Sequence, residues 1–171
     1  IRRLMKDAGR PRARVRVCMN PRLRGVQEAL DDETIRDIIE SYPWVHVFLV
    51  VVDRDGKSSR AAQLADVETR ARKHLKKAQM LIAIAAVEEV EVWALASERM
   101  PPKQWSEIRR DHHPKEAHFE PLVQRRGLRD SPGGGRRLLG HAAAREIERV
   151  KARCSEVREL AERLRRLTES E

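Results

Sequence analysis

Apolar runs alternate along this chain with charged segments whose apolar residues recur at helical spacing. Val47 to Val52 is an unbroken apolar run rich in valine, followed by Asp53-Arg54-Asp55-Gly56. Such a run predicts a strand buried on both faces, the kind found in a parallel sheet. A second buried strand is predicted over Met80 to Val87 (MLIAIAAV). Helices are predicted at Thr34 to Ser41, where Ile35, Ile38 and Ile39 share a face, and at Ser59 to Gln79, where Leu64, Val67 and Leu75 do. Glu88 to Arg99 reads as a helix, although Val90 and Val92 also permit the strand to continue. Ala13 to Met19 alternates Val15, Val17 and Met19 with arginines, which suggests a further strand. Ile1 to Ala8 has the pattern of an amphipathic helix closed by Gly9. Strands alternating with helices predict an α/β fold, a three-layer parallel sheet with right-handed crossovers.

The second half changes character. Met100-Pro101-Pro102 breaks the helix before it, and Asp111 to Pro121 is polar and irregular. Asp130-Ser131-Pro132-Gly133-Gly134-Gly135 reads as a flexible loop leading into Arg136 and Arg137. Leu138 to Leu167 is helical by pattern, with Ile147, Val150, Val157, Leu160, Leu164 and Leu167 on one face. It is either a packed terminal helix or one that meets a partner, a homodimer included. The expected organisation is an α/β domain over residues 1–122, with a basic glycine-rich loop and helical C-terminal extension over 123–171 packed on it.

Charge narrows the choice of partner. The chain carries 36 Lys+Arg against 27 Asp+Glu, a formal net charge of +9. That excess favours a polyanion, and nucleic acid is the commonest one. The plainer reading is an arginine-rich solvated surface. Aromatic residues make up 4% of the chain, too few for a base-stacking platform, so contacts to nucleic acid are expected at phosphate. Cys18 and Cys154 show no metal-ligand spacing and are expected to be free thiols of a reducing compartment. No apolar run reaches membrane-spanning length and no signal peptide is visible, so a cytoplasmic protein with no membrane partner is expected.

The candidate chemistry lies where the two strands end. Asp53 and Asp55 repel one another unless a cation or a proton relieves them, and Mg²⁺ accepts one or two carboxylates while keeping water and phosphate. An ordinary Asp-Gly turn is the alternative. The second strand leads into Glu88-Glu89-Val90-Glu91, which could join the aspartates in holding Mg²⁺ or Mn²⁺. Its plainer explanation is the preference of glutamate for a helix start.

With these residues in view, the chain resembles a known group. VVVDRDG followed by EVEVWALA is similar to the Toprim-fold proteins related to overcoming-lysogenization-defect nucleases, in particular the standalone bacterial Toprim-like families. The resemblance covers about residues 10 to 120, and more weakly Cys154 to Leu167. It implies a Toprim-like sheet, Asp53 and Asp55 as a metal-binding pair, Glu89 and Glu91 as a second acidic pair, and Trp93 as a packing residue. It also implies a metal-dependent nuclease acting on DNA or RNA, with an anti-phage role beside an ATPase partner. Toprim proteins carry a glutamate at the end of their first strand, and no such strand precedes Ile1-Arg2-Arg3. The expectation is that the chain begins after it.

Cationic candidates complete the site. Lys57 and Arg60 follow the aspartates and could meet a scissile phosphate, or simply form a solvated loop. Lys115, in Asp111-His112-His113-Pro114-Lys115-Glu116, could steady developing charge. The histidine pair is a weak metal-ligand candidate. Arg125, Arg126, Arg136 and Arg137 flank the glycine-rich loop and suggest a clamp on a nucleic-acid backbone. The expected catalytic set is Asp53, Asp55, Glu91 and Lys115, with Asp53, Asp55, Glu89 and Glu91 as metal ligands. Two alternatives stand beside it. One is a non-catalytic binding or assembly subunit. The other is a haloacid-dehalogenase-type phosphatase, which shares the strand-Asp-x-Asp-Gly motif but expects a threonine-like residue where Lys57 stands, and a later Asp-Asp pair.

Overall fold

The computed structural model describes residues 1–169, so the last two residues of the 123–171 segment lie outside the described residues. The protein is mixed α/β and about 53% helical, with a small two-stranded parallel sheet flanked by helices. The elements are α1 (Arg2–Asp7), α2 (Val26–Ala29), α3 (Asp32–Ser41), β1 (Val47–Asp53), α4 (Arg60–Ala71), β2 (Met80–Ala86), α5 (Glu91–Leu95), α6 (Pro102–Arg110), a π-helical turn (Lys115–Phe119), α7 (Glu120–Arg125), α8 (Arg136–Arg145), α9 (Ile147–Arg153) and α10 (Ser155–Glu169). They fall into two compact units, Arg16–Ala85 and Ile1–Val15 with Ala86–Glu171.

The smaller unit is a β–α–β core. Asp31 caps α3 by accepting the Thr34 N–H at 2.9 Å, satisfying an amide that the first helical turn leaves unpaired. Ile35 and Ile39 of α3 and Leu64, Val67 and Ala71 of α4 pack with Phe48 and Val52 of β1 and Leu81 and Ala83 of β2. Both expected strands form, but they differ in burial. β2 is buried on both faces, whereas β1 buries Phe48 and Val52 and leaves the residues between them half-buried. Glu68 of α4 accepts the Ala83 N–H at 2.7 Å, so a backbone amide of β2 is met by a side chain.

Ala13 to Met19 forms no strand; Val17 and Met19 are exposed. Alternation alone does not make a strand, because each ladder hydrogen bond needs a partner, and the sheet consists of β1 and β2.

The larger unit is helical. Leu95, Ile108, Phe119, Leu122, Val123 and Leu139 form one core cluster, joining α5, α6, α7 and α8. The segment read as irregular, Asp111 to Pro121, is instead wound from Lys115 onward into the π-helical turn and α7. The segment read as one helix, Leu138 to Leu167, is three. Glu146 and Cys154 leave helical geometry between them, Cys154 being extended. α10 then buries Val157, Leu160, Ala161 and Leu164, an i, i+3, i+4, i+7 stripe, and α1 packs on it.

Candidate functional site

Each strand ends in the same local feature. Two residues past β1, Asp55 has a φ of 51°, and two residues past β2, Glu88 has a φ of 60°. Among the described residues no other non-glycine residue has a positive φ. Aspartate enters this region with some ease, but a buried glutamate does so against a steric cost of roughly 1–2 kcal/mol.

At the first of these ends, Asp55 and Gly56 (φ 67°) take the two central positions of a turn closed by the Lys57 N–H on the Arg54 carbonyl at 3.0 Å. Successive positive φ values are the mark of a type I′ turn, which aspartate followed by glycine suits. Asp53 is half-buried at the end of β1, and Asp55 is exposed. Lys57 is exposed as well. Arg60, read from sequence as a phosphate contact or part of a solvated loop, is buried at the start of α4. There it donates to Gln63 Oε1 at 2.9 Å, and its Nη2 lies 3.8 Å from Asp55 Oδ2.

The second end lies in the larger unit. Glu88 is buried, with His112 Nδ1 at 3.8 Å from its Oε1. Glu89 Oε2 accepts the Lys115 backbone N–H at 2.7 Å, and burial pushes the Glu89 carboxyl above the usual range despite that hydrogen bond. The Lys115 ammonium turns instead to Glu116, at 3.2 Å. Glu91 is buried at the start of α5, and Arg136 Nε donates to it at 2.7 Å. Gly135 makes that approach possible. Its φ is +78°, and a Cβ there would lie 3.1 Å from Val123 Cγ2 and 3.2 Å from Leu128 Cβ. The loop therefore seats tightly on α7 and delivers Arg136 as the first residue of α8, its guanidinium 5.8 Å above the Phe119 ring. Arg126 pairs with Glu98 at 2.6 Å, while Arg125 and Arg137 are exposed.

A further cluster escaped the sequence reading. Glu156, in the first turn of α10, is buried and accepts from Arg109 through both oxygens, at 2.9 and 3.1 Å. Its Oε1 also accepts from Trp93 Nε1 at 3.2 Å and from the Val87 N–H at 3.5 Å. Trp93, expected as a packing residue, is therefore a hydrogen-bond donor to Glu156. Burial is the largest influence on Glu156 and opposes its ionisation, but the Arg109 hydrogen bonds and charge, with its own backbone N–H and Trp93, together hold the carboxyl below its usual range. Arg153 crosses to the carbonyls of Ala96, Glu98 and Met100, closing the C-terminal end of α5. Cys154 is a free, fully buried thiol that burial, with Glu156 nearby, pushes up to about 12, so it is unreactive.

These contacts bear directly on metal binding. Among the described residues no group of three or more His, Cys, Asp or Glu side chains is arranged to hold an ion. Glu91 already has its charge met by Arg136, so a cation there requires Arg136 to leave. Asp53 and Asp55 are of the type Mg²⁺ uses when it keeps most of its water, and Asp55 has half its side chain open to solvent. Glu89 and Glu91, by contrast, are already engaged by the Lys115 N–H and by Arg136.

No helix among the described residues is long and apolar enough to cross a membrane. No protein-family model, no curated protein and no solved structure matches this chain.

Proposed function

We propose that this protein is a nuclease that hydrolyses phosphodiester bonds of DNA or RNA, with Mg²⁺ or Mn²⁺ at Asp53 and Asp55. The observation that carries the reading is Asp55, set in left-handed backbone two residues beyond strand β1, which ends in Asp53. Non-glycine residues in left-handed backbone are uncommon, and such positions concentrate at functional sites. When bound, the ion supplies an activated water and charge neutralisation at phosphate. Asp53 and Asp55 orient it, and buried Arg60, fixed by Gln63, positions Asp55 from behind the turn. In this reading exposed Lys57 meets phosphate directly. The Toprim-like assignment, an anti-phage role and an ATPase partner belong to the same proposal and rest on the resemblance of sequence alone.

The test is cleavage of plasmid DNA and total RNA with Mg²⁺ or Mn²⁺, beside an Asp53→Ala/Asp55→Ala double variant. Cutting by the parent that is lost in the variant and in EDTA is the expected result. Equal cutting by both overturns the assignment.

A second reading is favoured by one observation. Glu89 and Glu91 are already engaged by the Lys115 N–H and by Arg136, as in a structural rather than a catalytic carboxylate set. In that reading the protein is a nucleic-acid-binding or assembly subunit. Binding without turnover under every metal would select it.

A further inference from the structure

We infer that an arginine-lined cleft in the larger unit binds the sugar–phosphate backbone of nucleic acid. This inference rests on the nucleic-acid part of the reading above, but not on catalysis. The cleft has a volume of about 450 Å³, and its lining brings together Arg99, Arg126, Arg145 and Arg149 with Glu98 and Glu146. It joins the end of α5, the C-terminal end of α7 and the boundary between α8 and α9, segments far apart in sequence.

The four arginines fall into two kinds. Arg149 is fixed, donating to the Ser97 carbonyl at 2.5 Å and pairing with Glu146 at 3.0 Å. Arg126 is fixed by Glu98 at 2.6 Å. These two pairs neutralise one another and set the walls. Arg99 and Arg145 are exposed on the same lining and make no ion pair among the described residues. The local balance is four guanidinium groups against two carboxylates, so the excess positive charge sits on Arg99 and Arg145. Guanidinium forks match phosphate oxygens in geometry as well as charge.

The lining also says which part of a nucleic acid is met. It contains no aromatic ring on which a base could stack, which argues against a mononucleotide or a base-reading site. Phosphate contact without base contact gives affinity that depends on salt and ignores sequence.

The experiment measures anisotropy of a labelled oligonucleotide of about twenty residues, as single-stranded DNA, duplex DNA and RNA, across a salt series. Three double variants of the full chain accompany the parent: Arg99→Ala/Arg145→Ala, Arg99→Lys/Arg145→Lys, and Arg22→Ala/Arg24→Ala. The last removes the same charge from exposed positions in the smaller unit. The alanine cleft variant is expected to bind more than about tenfold more weakly, and its slope of log K against log salt to fall by about 1.4 to 1.8, two phosphate contacts' worth. The lysine variant is expected to keep the parent's salt slope while binding between the parent and the alanine variant, and the Arg22/Arg24 variant to stay within about threefold of the parent. Unchanged binding in the alanine cleft variant, no binding by the parent, or an equal loss in the Arg22/Arg24 variant overturns the cleft. Salt-dependent binding with no cutting ends the nuclease assignment and leaves the cleft standing. Cutting that survives while the cleft variant binds normally does the reverse.

Discussion

Arg136 donates from Nε to Glu91 Oε1 at 2.7 Å, so the first residue of α8 neutralises the first residue of α5. Glu91 is buried and half of the Arg136 side chain is exposed, so the carboxylate depends on the arginine more than the reverse. Removing the arginine strands a buried charge. Arg136→Ala is expected to destabilise the protein by about 2–3 kcal/mol, below the full cost of breaking a wholly buried pair. Adding Glu91→Gln to that variant should recover part of the loss, since no charge is then left unpaired. A double-mutant cycle in urea measures the coupling, and additive losses would show that the pair contributes nothing of its own.

The turn at Asp55 separates backbone from chemistry. Both Asp55→Gly and Asp55→Ala lose the contact to buried Arg60, but glycine accepts the positive φ without strain, so Asp55→Ala should cost about 1 kcal/mol more than Asp55→Gly. Under the nuclease reading both variants stop cutting. Retained cutting by Asp55→Gly would mean that the turn, and not the carboxylate, is what matters.

Glu156 and Arg109 predict acid sensitivity. The folded state holds this carboxyl below its unfolded range, so the unfolded chain binds the proton first as pH falls. The pair's contribution is complete above the ordinary glutamate value of about 4.3 and is lost as pH drops through the folded value. Glu156→Gln should cost about 3 kcal/mol at neutral pH and flatten the acid limb of the stability profile. Thermal melts across pH 3 to 7 would show it, and an unchanged acid limb would refute the assignment.

Glu89 behaves in the opposite sense. Burial raises its carboxyl, so between the unfolded and the folded value the native state binds more protons and stability falls as pH rises. Glu89→Gln keeps an oxygen to accept the Lys115 N–H and removes that slope. Melting at pH 7 should show no loss, or a small gain. A clear loss would mean that the charge itself is needed there.

Much of the scaffold was legible in the sequence. β1 and β2 follow from continuous apolar runs, α3 from Ile35, Ile38 and Ile39, and α10 from Val157, Leu160 and Leu164, because local spacing fixes which face an element buries. Local pattern misled where a partner was required. Ala13 to Met19 alternates like a strand and pairs with nothing in the sheet, and Leu138 to Leu167 reads as one helix but breaks at Glu146 and Cys154. The breaks accompany long-range bonds that no local window contains: Arg149 reaches the Ser97 carbonyl, and Arg153 reaches those of Ala96, Glu98 and Met100.

The candidate site divides along the same line. Sequence alone marked the acidic residues that follow each strand, the basic balance and the scarcity of aromatic rings, because composition and strand ends are local properties. Only the tertiary structure decided which charges meet. It gave Glu91 to Arg136, Glu156 to Arg109, and Arg60 a buried place behind the Asp55 turn. It also gathered Arg99, Arg126, Arg145 and Arg149 into one cleft. A carboxylate's role depends on the cation and the burial that reach it through space, and neither is written in its neighbours along the chain.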